Sequence, residues 1–562
     1  MKRAEPSSHP VRAASGISPI EAGYGLVHAD TIVATTVDRL IVDPPSDGFE
    51  LSVGPKKTSS DIAGLGLSAG AYDASIRLTA VDGSAASKRV TLILADPSRI
   101  RRRFGARYGS LEYDMPVIVG RGRTVPWERL WKTNEVSDIV VDFPEPYKLV
   151  LWRGMSFTPS WALDNVMTSF FFAETVEPGV FRDCCEMMSD RECRYSHARI
   201  IHASNARVVI HWRYALGDGA YTICRNQWVD ELYYVHPDGT ACRNVTIHLD
   251  PDDRDVWQID PRTGMRVPFS MIGAPAGKRT FNDMEFITVN PAGSTSEENM
   301  PEGALTLLDG GEFERTFTWP NAPDFGVEPF PDLEDYIFRI NYRRRAGAFV
   351  ACPAGGLRVR LQDNTGMRYV AGALVQDDRW ETVTDLPGRF ADFIHWPITR
   401  GHGTTALTDP AVYGERPTHT FLGYANNAPV KSLGNGAVTW SWLTGIAPGD
   451  ERLLRSAVRA WTSPPPIEGV WYDRTQRAYV FPNPGSGDAL RVNAARGVVS
   501  PTFVLKGWEG EAVEVLVDGK PVDPGSTAIG IEQTIDGVQT VVTLRRVLPP
   551  SSTVAFRKGK IA

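Results

Sequence analysis

The stretch RYSHARIIHASNARVVIHWRYAL, residues 194–216, continued by DELYYVHPDGT (230–240) and ACRNVTIHL (241–249), decides the fold. It reads as four consecutive β-strands, rich in Val, Ile, Tyr, Trp and Thr, with GDG and PDG marking breaks. Successive side chains on a strand point to opposite faces. From Arg207 to Tyr214, Val208, Ile210, Trp212 and Tyr214 therefore share an apolar face, and Arg207, Val209, His211 and Arg213 share the other. By the same rule Tyr195, His197, Arg199 and Ile201 fall together, as do Leu232, Tyr234 and His236, and Asn244, Thr246 and His248. Antiparallel neighbours would gather His, Arg, Tyr and Asn into one polar surface over an aromatic-backed sheet. Five of the chain's ten histidines lie here, which makes this stretch the place to look for chemistry.

Working outward, short strand-like runs dominate both flanks. Gly 51 and Pro 41 with two clear helical stretches predict an all-β chain. A length of 562 residues exceeds one compact core, so two to four domains are expected. Residues 1–20 read as a polar leader without order. Residues 21–100 read as an immunoglobulin-like β-sandwich, 101–463 as a large antiparallel β-supersandwich, and 467–562 as a C-terminal β-sandwich. VPWERLW predicts a short helical turn. GDERLLRSAVRAWTSPPP predicts a helix with Asp450 as N-cap, stopped by three prolines that read as a linker.

Net charge −7 argues against non-specific nucleic-acid binding, while a local Arg/His cluster can still hold an anion. No apolar run of about 18 residues is present, so no membrane partner is expected. The first residues, MKRAEPSSHPVRAASG, lack an apolar signal core. A cytoplasmic protein is expected if the chain is complete, a secreted or periplasmic one if a leader has been removed. Six cysteines form no dense disulfide framework. Cys185 and Cys193, with His197 beyond, leave a structural zinc open; otherwise no cofactor is expected.

A Tyr/His/Arg face suits β-elimination on a uronic acid. That reaction needs a base for the C5 proton, a cation on the neighbouring carboxylate and an acid for the leaving oxygen. His197 or His211 would serve as base, Tyr195 or Tyr234 as acid, and Arg213 or Arg199 as neutraliser. The plainer reading is that His211 and Arg213 face solvent or pair with Asp230 or Glu231. Arg153, at the end of LVLW, and Trp152 before it are candidate substrate contacts, although an internal salt bridge is the commoner fate of a single Arg. Arg194 is a further carboxylate or sulfate ligand, and Trp396 a platform for a sugar ring.

A paired-carboxylate glycoside hydrolase is one alternative. Asp230 and Glu231 fall on opposite faces and cannot flank one bond, which leaves Glu174, Glu186, Asp190 and Asp392 as loop carboxylates. The other alternative is a non-catalytic glycan-binding protein.

Several phrases, SDIVVDFP, LVLWRGMSFTPSW, EMMSDRECRYSHARII, NARVVIHWRYAL, DELYYVHPDGTACRNVT, FADFIHWPITRG and ERPTHTFL, resemble bacterial polysaccharide lyase-like proteins, with ulvan lyases the nearest named members. The resemblance spans about 138–466. It implies a supersandwich binding a poly- or oligosaccharide substrate on one sheet face. Matched by motif, Tyr195 and His197 lie in RYSH, His211 and Arg213 in HWRY, and Tyr234 in DELYYV. His395 lies in FIHWP, and Arg416 and His419 in ERPTH. The activity implied is carbon–oxygen lyase chemistry on an anionic, uronic-acid-containing glycan.

Overall fold

In the computed structural model the described residues are most of 104–361 and 418–558, with the backbone of short strands between 11 and 94. The chain is built almost wholly of antiparallel sheets, as the composition predicts. Two large ones make the centre. The first has eight strands and runs, edge to edge, from Arg358–Leu361 through Thr418–Asn426, Met284–Asn290, Val166–Ser169, Pro159–Leu163, Tyr147–Leu151 and Asp138–Asp142 to Gly105–Gly109.

The second sheet has ten strands and carries the opening stretch at one edge. Its order begins β1 (His197–Ala203), β2 (Val208–Gly217), β3 (Ile223–Val235), β4 (Thr240–His248) and β5 (Ala437–Ile446). It continues through Ala348–Pro353, Asp335–Ile340, Leu305–Leu308 and Glu314–Phe317, and the tenth strand, Lys431–Gly434, pairs with β5 off this path. β3 is longer than the sequence suggests: it starts at Ile223 and passes through a kink where Arg225 and Asn226 adopt left-handed φ values of 50° and 52°.

The alternation expected of β2 holds. Val208, Ile210, Trp212 and Tyr214 are all fully buried, facing Ile139, Val141, Leu149, Leu151 and Trp161 of the eight-stranded sheet in one continuous core. Each such aliphatic side chain contributes roughly 1.5–3 kcal/mol on leaving water. Trp161 Nε1 also donates to Thr444 Oγ1 of the opposite sheet at 3.0 Å, so the indole is satisfied as well as packed.

Helix α1 (Glu451–Thr462) begins where expected: the Asp450 carboxylate accepts from the backbone N–H of Arg452. Its apolar face, Leu454, Val458 and Trp461, packs on Cys242, Leu308, Ile337, Phe349 and Leu443, which project from the other face of the ten-stranded sheet. The residues of VPWERLW beyond Pro126 lie outside the described residues.

The C-terminal residues form a five-stranded and a four-stranded sheet around one core that includes Tyr479, Phe503, Val542 and Phe556. This domain is docked on the central sheet rather than hung from it. Arg207 Nε and Nη2 each bond a carboxylate oxygen of Glu532 at 2.6 Å, and Nη1 bonds Gln476 at 2.9 Å. Arg477 pairs with Asp238 at 2.7 Å and donates to Thr240 at 2.6 Å. The two bodies approach so closely here that a Cβ on Gly530 would collide with the side chain of Ser204. The prolines that read as a linker therefore join two packed bodies.

Candidate functional site on the outer face of the central sheet

The registers of β1 to β5 lay the outward side chains on a grid. One row is His197, Arg213, Asp230, Thr246 and Thr439. The next is Arg199, His211, Leu232, Asn244 and Ser441. On the opposite side of the first row come Ala215 and Trp228, with His248 on β4 opposite Ala437 on β5. A further row, Val209, Tyr234, Cys242 and Leu443, runs under α1 and the C-terminal domain.

Asp230 is the centre of the open rows. Its Oδ1 lies 2.8 Å from His211 Nε2, and its Oδ2 accepts from Arg213 Nη1 at 2.6 Å. His248 Nε2 approaches the same Oδ2 at 3.8 Å. Partial burial pushes the Asp230 carboxyl up, but the hydrogen bonds from His211 and Arg213 outweigh it and hold the group below its ordinary value. The Arg213 guanidinium lies 4.9 Å over the Trp228 ring, a cation–π contact that keeps it flat on the sheet. Tyr195 meets the same indole edge-on at 6.2 Å. His211 Nδ1, His197 and Arg199 have no hydrogen-bond or ion-pair partner among the described residues.

The face thus brings together His197, His211, Arg213 and Arg199, with Tyr195 at its margin. The plainer reading of His211 and Arg213 also holds in part, since both pair with Asp230. Glu231 faces the other way, as alternation requires, and is fully buried. There it takes hydrogen bonds from Tyr214 at 2.8 Å, Tyr233 at 2.6 Å, and Arg243 Nε and Nη2 at 2.8 and 2.5 Å. Burial first, then the Glu231 charge, pushes both phenols well above their ordinary range.

Several expected residues stand elsewhere. Trp152 is in the core, 1% exposed, and Arg153 is 2% exposed. Arg153 is paired with Asp138 through its guanidinium and also donates its backbone N–H to that carboxylate. Both are structural, because no sugar reaches them behind the first sheet. Tyr234 is half-buried: Arg207 lies 5.1 Å over its ring and it packs against the cluster under α1. Burial raises its phenol, which disfavours it as a ready proton donor. Arg194 is exposed just before β1, in a turn fixed by Asp190, whose carboxylate accepts backbone N–H groups of residues 194, 195 and 196. His419 occupies a register position opposite Val289 in the eight-stranded sheet, not in this grid. His395, Trp396, Arg416 and Asp392 lie outside the described residues.

Of the loop carboxylates, Glu174 and Glu186 are buried at 3% and 1% exposure. Cys185 is disulfide-bonded to Cys224, and Cys193 Sγ donates to the Arg153 carbonyl, so these two sulfurs do not face a common centre. Among the described residues no group of three or more His, Cys, Asp or Glu is arranged to hold a metal ion, and no helix is long and apolar enough to cross a membrane.

Of the grid, Trp228 escapes a reading that begins the third strand at Asp230, whereas His248 is placed on this face by alternation and given no role. Extending the alternation two positions back would have found Trp228.

No family model matches the chain, and no curated protein matches it. Among solved structures the chain is similar to galactose 1-epimerase from Lactobacillus acidophilus NCFM, at 9% sequence identity and a TM-score of 0.23, covering 60% of this chain and 97% of that one. A likeness of that size says nothing about substrate or activity, and the argument for function rests on the grid.

Proposed function

We propose that the outer face of β1 to β4 acts on an anionic, uronic-acid-containing glycan, cleaving it as a lyase by β-elimination. The observation that supports this most is the 2.8 Å contact between Asp230 and His211, with the second imidazole nitrogen unpartnered. A carboxylate on one nitrogen fixes the ring and orients the other nitrogen toward a substrate proton. Arg199, opposite His211 in the register, and Arg213, two positions along β2, put positive charge on the same face as that ring. A uronate carboxylate held there loses its negative charge to the guanidinium groups, and its C5 proton becomes acidic. Trp228 offers the ring face on which a sugar stacks.

A hydrolase needs two carboxylates flanking one bond. Asp230 sits on this face and Glu231 is sealed behind it, so the pair fails that requirement. In this reading the chain stands beside the polysaccharide lyase-like proteins its phrases resemble.

The test is product chemistry over a panel of anionic and neutral glycans. A C4–C5 double bond absorbing in the ultraviolet supports the lyase. New reducing ends without that absorbance would make it a hydrolase, and retention without turnover would make it a binding protein.

A further inference from the structure

Resting on that reading, we infer that His248 is the second proton-transfer group of the face, the one that protonates the departing glycosidic oxygen. Elimination breaks the C5–H and C4–O bonds and turns the C5–H electron pair into the C4–C5 double bond. One group takes the proton, another supplies one to the oxygen, and no oxidant or reductant is needed. The layout on the sheet follows that order. His211 stands at Oδ1 of Asp230, Arg213 binds Oδ2 at 2.6 Å, and His248 lies beyond it, 3.8 Å from Oδ2. Base, carboxylate neutraliser and acid are thus ranged around one fixed carboxylate, on three adjacent strands.

The alternatives among the phenols are placed less well. Tyr234 is half-buried with Arg207 over its ring, and the Tyr195 ring is engaged with the Trp228 indole at 6.2 Å. His248 by contrast is open, its side chain 55% exposed, and it stands opposite Ala437, whose small side chain leaves it room to turn. The groups facing it are Asp230 and Trp228 from β3, Arg213 and His211 from β2, and Ala437 and Thr439 from β5; Lys431 stands in register opposite Thr439.

The experiment uses the full chain with His248→Asn and His248→Gln, and two substrates. One is a uronic-acid glycan with a sugar leaving group at C4. The other is a uronic acid bearing 4-nitrophenolate at C4, which departs without protonation. Loss of a general acid slows the first by roughly 10²-fold or more and leaves the second near wild type. Unchanged thermal unfolding shows that both variants are folded. Equal loss on both substrates, or no loss on either, overturns the role of His248 while the lyase reading stands. A wild-type chain yielding no unsaturated product from any uronic-acid substrate overturns both.

Discussion

Asp230 and Glu231 are neighbours in the chain and occupy opposite sides of one sheet: the first gathers His211 and Arg213 in the open, the second holds Arg243 where no water enters. One peptide unit therefore links the candidate chemistry to a fully buried ion pair in the core, and the two can be perturbed separately.

His211→Ala should leave folding intact, because the ring is partly exposed and Asp230 keeps Arg213. Formation of unsaturated product should fall about 10²–10⁴-fold, the usual worth of a general base. Full activity in this variant and in His197→Ala together would remove the outer face as the catalytic site.

Arg243→Met should be a stability variant. It strands Glu231 in a core where it has no exposure, and breaking such a pair costs about 3–5 kcal/mol. Denaturant unfolding measures this. Adding Glu231→Gln should recover part of the loss, since the two positions act as one unit.

His236 predicts a pH dependence. Burial first, then the Arg477 charge, lowers its imidazole to about 3, and it lies between the Gln476 carbonyl and Thr502 beneath the C-terminal domain. The unfolded chain takes up a proton near its ordinary value of 6.5, whereas the folded chain does so only near 3. Stability is thus full above about 6.5 and lost as pH falls from there towards about 3. His236→Gln should flatten that part of a melting-temperature profile. An unchanged slope would place the acid sensitivity elsewhere.

The bond between Cys185 and Cys224 closes a segment with a sequence separation of 39. Loop entropy for a closure of that size gives about 4 kcal/mol of stabilisation, and Cys224→Ser should lower stability by up to that amount under oxidising conditions. Reductant should then destabilise the wild type and leave the variant unchanged.

What the sequence made legible was what repeats locally. The two-residue period of β2 put Trp212 and Tyr214 inward and His211 and Arg213 outward, and Asp450 was readable as a cap because its partner is two residues away. For Arg153 an internal salt bridge was legible as the commoner fate but its partner was not, because Asp138 is 15 positions away on the adjoining strand. Tyr234 obeys the period and still fails as a site residue, because Arg207 and Glu532, 325 positions apart, bring a whole domain down over that row. Alternation assigns a face; only tertiary packing decides whether that face stays wet.

The docked domain has one more consequence. By roofing the row of Val209 and Tyr234, and by anchoring a turn on Asn244 through the Thr475 carbonyl at 2.6 Å, it sets a kerb along one side of the open grid. The last hundred or so residues thus bound the open face on one side, and removing them would widen that face at the same stroke as it bared Arg207.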